Sequence, residues 1–347
     1  APFPFPRRRL CRNTGAETTK GAALTRHALP LCLALLFFAM SPGALRPASA
    51  AEPTVLTVYA AGTLAVPFKA VGALFEQKHP EVKVEPQFGG SVMMARRITD
   101  LGQRVDVLGV ADYSVIPHYL FAKDGKPAHA GWYAGFARNA ITFVYTKKSK
   151  FAGEITPQNW YQLLARPGVE IGRSNPDTDP SGYQTLQMLS LAEGYYKTPG
   201  LAAKIIANAP RTNMRDTETE LIAALQLGQI DYLAIYRSDA LQHHLESLAL
   251  PPAIDLSDPA EAAQYAKGVA VTKNGTLPGK PIVYAVTIPK DAPHPEAAEK
   301  YLALLLGPEG QAVMKKNGFG TVAHAYAVNQ KAMPASLQAL TEPWPGS

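Results

Sequence analysis

Small hydroxyl residues recur at one kind of position in this 347-residue chain. Thr63, Ser91 and the Ser181-Gly182 pair each fall where a strand-like run gives way to a helical pattern. Such a turn aims free backbone N–H groups out of the helix N-terminus, where they attract negative charge. A Ser or Thr there can simply cap its own helix. Three such turns, drawn from two separate α/β segments, suggest a second use: they can converge on an anion. Neutral donors can hold even a dianion without Lys or Arg, because helix dipoles and N–H groups supply the attraction.

Other side chains offer competing chemistry. Tyr195-Tyr196 is an adjacent phenol pair, and phenolates suit Fe(III). Hard-ion sites usually want acids or His alongside, and a pair near the end of a helix more often packs one ring and exposes the other. His243-His244 are adjacent, so on a helix they would point about 100° apart, which is poor metal geometry. The chain contains no G-x-S-x-G elbow, no H-E-x-x-H and no P-loop, so it lacks the motifs of those enzyme classes.

The elements that must position the hydroxyls can be read from periodicity. Residues 55–59 (Val-Leu-Thr-Val-Tyr) form a β-branched, apolar run. Helical spacing follows at 65–78, with Phe68, Val71, Leu74 and Phe75 on one face. A short strand at 82–85, a helix at 91–101 and a strand at 105–108 complete a βαβαβ rhythm, which argues for a parallel sheet with helices on both faces. A second α/β unit begins with a long strand at 140–145. It continues with a helix at 159–164, a strand at 169–171, a helix at 182–196, a helix at 219–227 and a strand at 231–235. A strong strand at 282–289 and helices at 295–306 and from 309 close the chain. The Pro- and Gly-rich stretch 248–281 reads as surface loops with one short helix.

The formal charge of +6 is concentrated at one end. Residues 1–50 carry seven Lys/Arg and one acid, leaving 27 basic and 27 acidic residues in the remainder. A near-neutral remainder gives no reason to expect nucleic-acid binding. Residues 1–50 show a basic segment, an apolar stretch at 29–40 and the small-residue site Ala48-Ser49-Ala50, the order of a secretory signal peptide. Both cysteines, Cys11 and Cys32, lie in this segment. The expected mature chain therefore has neither a disulfide nor a Cys metal site.

Several stretches, taken together, resemble the tungstate/molybdate-binding proteins of ABC importers, in the branch first associated with archaea. They are Ala61-Gly62-Thr63-Leu64-Ala65-Val66-Pro67-Phe68, Gly89-Gly90-Ser91-Val92 and Ala111-Asp112-Tyr113-Ser114-Val115-Ile116-Pro117. Further on come Gly172-Arg173-Ser174-Asn175-Pro176, Asp179-Pro180-Ser181-Gly182-Tyr183, Asp231-Tyr232, Tyr236-Arg237-Ser238 and Lys280-Pro281-Ile282-Val283-Tyr284.

The resemblance implies an α/β, two-lobed periplasmic solute-binding protein of type II. Each lobe would be a mainly parallel sheet flanked by helices, with a strand hinge between them. Lobe I would take residues 51–140 and 286–347, and lobe II residues 141–285. The oxyanion's oxygens would meet Thr63 and Ser91 through hydroxyl and N–H, Ala111 through its N–H and Tyr236 through its phenol. Thr63 departs from the family's usual Ser by one methyl. Two carboxylates, matched to Asp179 and Glu218, would approach the metal itself and raise it from four to six oxygen ligands.

The residues themselves leave alternatives open. Asp177 or Glu220 could replace either acid. Asp179 could merely initiate a turn before Pro180, and Glu218 could cap a helix. A catalytic acid pair of the glycosidase kind has no other support in the chain. A ferric-ion or sulfate-like ligand remains the rival binding reading. The resemblance further implies a periplasmic monomer without resident cofactor or nucleic-acid partner, served by an ABC permease and ATPase. The leader predicts cleavage after Ala50, so that intact-mass measurement of the exported protein finds a chain beginning Ala51-Glu52-Pro53, with no lipid on Cys32.

Overall fold

The computed structural model describes residues 52–123, 125 and 127–344. The expected leader, its cleavage site, Cys11 and Cys32 lie outside the described residues. The strands, in chain order, are β1 (Thr54–Ala61), β2 (Val82–Gly89), β3 (Val107–Val110), β4 (Tyr133–Arg138), β5 (Ile141–Tyr145), β6 (Ile171–Ser174) and β7 (Met214–Arg215). They continue as β8 (Tyr232–Tyr236), β9 (Glu246–Ser247), β10 (Val269–Thr272), β11 (Gly275–Pro278), β12 (Val283–Thr287), β13 (Gly320–Val328) and β14 (Thr341–Pro343). The first five helices are α1 (Ala65–Lys78), α2 (Ser91–Thr99), α3 (Val115–Leu120), α4 (Trp160–Leu164) and α5 (Pro180–Tyr195).

The strands form a seven-stranded sheet in the order β14-β13-β4-β12-β3-β1-β2, a five-stranded sheet in the order β7-β6-β8-β5-β9, and the hairpin β10-β11. The α/β class and the helix-flanked sheets are as the pattern predicts. Both sheets are mixed rather than mainly parallel. β1 runs parallel to β2 and β3, but β12 is antiparallel to β3 and β4, and β5 is antiparallel to β8 and β9. Helical crossovers within one sheet enforce parallel neighbours. β4, β5 and β12 instead carry the chain between the two sheets, so no crossover fixes their direction. The two passages touch where the Asn139 N–H donates to the Ile282 carbonyl at 3.3 Å.

Alternation builds the core. In β1, Leu56, Val58 and Ala60 face α1 and the helix Pro295–Leu306, while Tyr59 joins Val92, Ile98 and Ile116 on the other face. In β8, Tyr232, Ala234 and Tyr236 pack on one side, and Leu233 and Ile235 pack with Leu221, Ile222 and Leu225 on the other. Several strands escape the sequence reading. β4 (YAGFAR) and β13 (GTVAHAYAV) are too rich in Gly and Ala to show a β-branched pattern. The hairpin β10-β11 lies in the stretch read as loop, although Asn274-Gly275 at its tip is a hairpin signal.

Phe68 fixes α1 on the sheet. Its ring centroid lies 6.2 Å from that of Phe136 and 6.3 Å from that of Tyr301. Gly109 makes room for it, since a Cβ there would come within 3.0 Å of the ring. Because α1 follows directly from Thr63, this packing also positions the hydroxyl. Phe68→Ala is expected to lower unfolding free energy by about 3–5 kcal/mol, measured by urea titration.

Candidate functional site

The parallel strands β3, β1 and β2 are neighbours, and their carboxyl ends deliver the first group of candidates together. After β1 the chain makes a short 3-10 turn, Gly62–Leu64, and Thr63 is buried within it. After β2, Gly90 precedes α2, whose first residue is the buried Ser91. After β3 comes Ala111, whose N–H donates to Ser91 Oγ at 3.0 Å. Ligands of open α/β sheets gather at such strand ends.

The second sheet contributes from its own strand ends. β6 ends at Ser174, Asp179 occupies the N-cap position of α5, Glu218 opens the 3-10 turn Glu218–Leu221, and β8 ends at Tyr236. Asp179 is 3 % exposed and Glu218 2 %. Asp179 stands at a cap position, yet its side chain makes no capping bond. The adjacent acids are engaged elsewhere. Asp177 accepts the Lys273 N–H at 2.8 Å, and Glu220 closes a capping box with Thr217.

The two sets of strand ends face and touch each other. A Cβ on Gly90 would lie 2.4 Å from the Thr178 carbonyl oxygen, and one on Gly62 3.3 Å from Thr219 Oγ1. The Met93 N–H donates to the same Thr178 carbonyl at 3.3 Å. Thr63 Oγ1 donates to Asp239 Oδ2 at 2.8 Å, and the Tyr183 hydroxyl donates to Asp112 Oδ2 at 2.7 Å. At the rim, the tip of the β10-β11 hairpin ties both sides. Asn274 donates to the Asp177 carbonyl at 2.9 Å and accepts from Arg96 of α2 at 3.0 Å.

Between these walls lies a polar cluster poor in compensation. Ser174 Oγ, Asp179 Oδ2 and Ser181 Oγ are buried without a partner of full hydrogen-bond geometry, Ser174 only loosely approaching Asp179 and Ser181 only loosely approaching Glu218. Buried polar atoms are nearly always paired, so a group of orphans at one place points to a ligand position. Burial, and then the charge of Glu218, pushes the Asp179 carboxyl well above the usual range; burial also pushes Glu218 up. Asp239 is raised by burial and by Glu218. Asp112 behaves oppositely. Burial opposes its charge, but Lys280 Nζ at 3.0 Å and the Tyr183 hydroxyl hold it below the ordinary value.

The expected oxygen donors are thus gathered but partnered with neighbouring side chains: Thr63 with Asp239, the Ala111 N–H with Ser91, and the Tyr236 hydroxyl with Gln184 Oε1 at 2.7 Å. Sequence reasoning missed Ser174, Gln184, Asp239 and the Asp112–Lys280 pair as members of this cluster. For Ser174 and Asp239 the usable signal was a polar residue at, or just beyond, the end of a buried strand. The tyrosine pair lies elsewhere. Tyr196 stacks on Tyr161 at 3.8 Å and accepts from the Trp160 indole, Tyr195 is 47 % exposed, and the pair sits about 24 Å along α5 from Asp179. A surface cavity of about 570 Å³ lined by Arg96, Tyr119 and His129 shares no residue with the cluster.

Comparison with known proteins adds three findings. The family model of the bacterial extracellular solute-binding proteins matches residues 56–320. A solute-binding protein of Petrotoga mobilis is 39 % identical over 289 residues, covering 82 % of this chain and 88 % of the relative, and the molybdate/tungstate-binding protein WtpA of Pyrococcus abyssi is 36 % identical over 291 residues, covering 76 % and 83 %. Among solved structures, the periplasmic molybdate-binding protein of Azotobacter vinelandii shares the fold, with a TM-score of 0.56 at 19 % identity over 77 % of this chain and 99 % of that one.

The Gly90 contact makes a direct prediction. A methyl group at this position collides with the backbone of the opposite wall and not with its own sheet. Gly90→Ala is therefore expected to hold the walls apart while leaving the fold intact: small-angle scattering would show a larger radius of gyration and the melting temperature would fall only slightly.

Proposed function

The chain belongs to the bacterial extracellular solute-binding proteins, and we propose that it captures tungstate or molybdate between two α/β lobes and hands it to an ABC permease and its ATPase. In this reading lobe I comprises residues 51–140 and 286–347 and lobe II residues 141–285, joined by the passages at Asn139 and Ile282. The oxyanion's oxygens meet Thr63, Ser91, Ala111 and Tyr236, and Asp179 and Glu218 approach the metal centre. The observation that supports it most is the set of buried orphan atoms, Ser174 Oγ, Asp179 Oδ2 and Ser181 Oγ, beside a carboxyl pair raised by burial. The identity to the Pyrococcus abyssi protein supports the choice of oxyanion.

An acid pair is an unusual partner for a dianion, since like charges repel. Tungsten and molybdenum in their highest oxidation state can accept carboxylates as additional hard oxygen ligands, in keeping with carboxylate preference for hard ions. The sulfur of sulfate cannot expand in this way. The same acids that complete the shell of one ligand therefore repel the other, which turns a cost into selectivity. The walls contact the ligand from two sides, so binding favours the closed arrangement.

Calorimetric titration of the mature protein with tungstate, molybdate and sulfate tests the reading. Tungstate and molybdate are expected to bind and sulfate to bind far more weakly. Ser91→Ala is expected to weaken tungstate by about 1–3 kcal/mol through loss of a hydrogen bond to a charged group. Glu218→Gln is expected to lower tungstate affinity and narrow the margin over sulfate. Tighter tungstate binding by Glu218→Gln would remove the carboxylates from the metal.

A further inference from the structure

Asp112 directly follows Ala111, and Tyr183 stands one helical turn beyond Asp179, about 6 Å along α5. The Tyr183 hydroxyl donates to Asp112 Oδ2 at 2.7 Å. This bond therefore joins the segment that offers an oxyanion donor to the segment that offers a carboxylate. Neither Asp112 nor Tyr183 belongs to the proposed oxyanion shell.

Asp112 is a saturated acceptor. It is 1 % exposed, and a carboxylate offers about four acceptor sites. Oδ1 accepts the Ser114 N–H and the Ser114 hydroxyl, each at 2.8 Å, which closes the turn after β3. Oδ2 accepts the Tyr183 hydroxyl and lies 3.0 Å from Lys280 Nζ. Lys280 stands two residues before Ile282, at the passage between the sheets, and the Tyr113 N–H donates to the Val283 carbonyl at 3.0 Å. Contacts this close to the passage need no approach of the walls. Tyr183 alone among these donors is carried by α5.

The Tyr183 ring reinforces the link. It is buried in the apolar cluster of Val92, Val110 and Val115, which belong to the first wall. On the other side of Asp179, the Thr178 carbonyl accepts the Met93 N–H of α2 at 3.3 Å. Asp179 is thus bracketed by two attachments to the first wall. One attachment alone would let the start of α5 pivot.

We propose that Tyr183 and Asp112 are positioning residues for oxyanion selectivity: their bond sets how far the Asp179 carboxylate reaches toward an anion held at Ala111 and Ser91. The proposal rests on the reading of Asp179 as a ligand to the metal of the oxyanion. Tungstate gains a hard oxygen ligand only if the carboxylate comes within coordination distance. Sulfate gains none, and meets a repulsion that grows as the distance shrinks. Seating Asp179 deeply favours one anion and disfavours the other, so loosening it erodes the margin from both directions.

Tyr183→Phe tests this, because it removes one oxygen and keeps the ring in its cluster. Affinities for tungstate and, by competition, sulfate are measured in wild type and variant, with X-ray absorption at the tungsten edge of the bound ion. Tungstate affinity is expected to fall about tenfold or more through loss of a hydrogen bond to a charged group. Sulfate is expected to lose less, and the oxygens at carboxylate distance from tungsten to become fewer or more distant. A purely structural role would lower the melting temperature and leave the affinity ratio and the edge spectrum as in wild type. Unchanged tungstate affinity, equal weakening of both anions or an unchanged edge spectrum overturns the proposal.

Should Tyr183→Phe fail to give a cooperative melt, Asp112→Asn carries the same decision. Whichever way the new amide turns, its N–H groups face donors. Loss of a nearby negative charge by itself predicts tighter binding of both anions, whereas the positioning role predicts weaker tungstate and a smaller ratio. Tungstate binding that is equal or tighter in Asp112→Asn overturns the proposal. Glu218→Gln, measured alongside, separates the two levels. If it narrows the margin over sulfate and Tyr183→Phe does not, the positioning role alone falls. If wild type binds no tungstate, or Glu218→Gln leaves the margin unchanged, the carboxylate reading falls and the positioning role with it.

Discussion

Three carboxyl groups, Asp179, Glu218 and Asp239, are buried at the second set of strand ends; burial raises all three, and the charge of Glu218 raises Asp179 and Asp239 further. Ionising all three in such surroundings is expensive, because burial disfavours every charged form and each charge disfavours the next. Folding can tolerate the arrangement only if protons are retained or if hard oxygen-seeking chemistry arrives to use the carboxylates. The strand ends, the short turns after them and the touching walls all exist around that constraint. Where the protein does need a fixed negative charge, at Asp112, it supplies Lys280 at 3.0 Å and a phenol donor. The contrast between the two acidic environments, only one of them compensated, separates structural charge from ligand chemistry.

Much of the fold was legible because alternation and helical periodicity are local. β1, α1 and β2 have strong patterns, and Phe68, Val71 and Phe75 are buried on the face their spacing indicates. The directions of β4, β5 and β12 were not legible, since a strand that crosses between sheets looks like any other apolar run. β4 was hidden for a different reason. Its Gly135 leaves space that Val283 of β12 and Trp344, just after β14, fill, so the burial is real but the side chains that show it lie far away in sequence.

The candidate site divides in the same way. Thr63 and Ser91 were accessible from turn chemistry, and the pairing of Asp179 with Glu218 came only through resemblance, because 39 residues separate them. Asp239 could not be found by either route. Its hydrogen bond with Thr63 joins the two sets of strand ends, and such a pairing is a property of assembled neighbours. Asp179 before Pro180 could be read as initiating a turn, and it stands instead at the N-cap position of α5. What could not be read is that one acid of the loop meets the hairpin while the other enters the cluster.

The hairpin tip has a kinetic meaning. Asn274 and Lys273 grip the loop before α5, and Asn274 also holds Arg96 on the opposite wall, all outside the polar cluster. The Arg96 bond spans the two walls, so it can exist only while they meet. An interaction of this kind slows escape without recognising the cargo, and residence time becomes adjustable separately from selectivity. For a carrier this separation matters, because a cargo held by its own contacts alone must be bound weakly to be released quickly. Under the proposed function, prising one exposed hairpin away from one arginine would shorten the lifetime of the loaded state without touching Asp179 or Glu218.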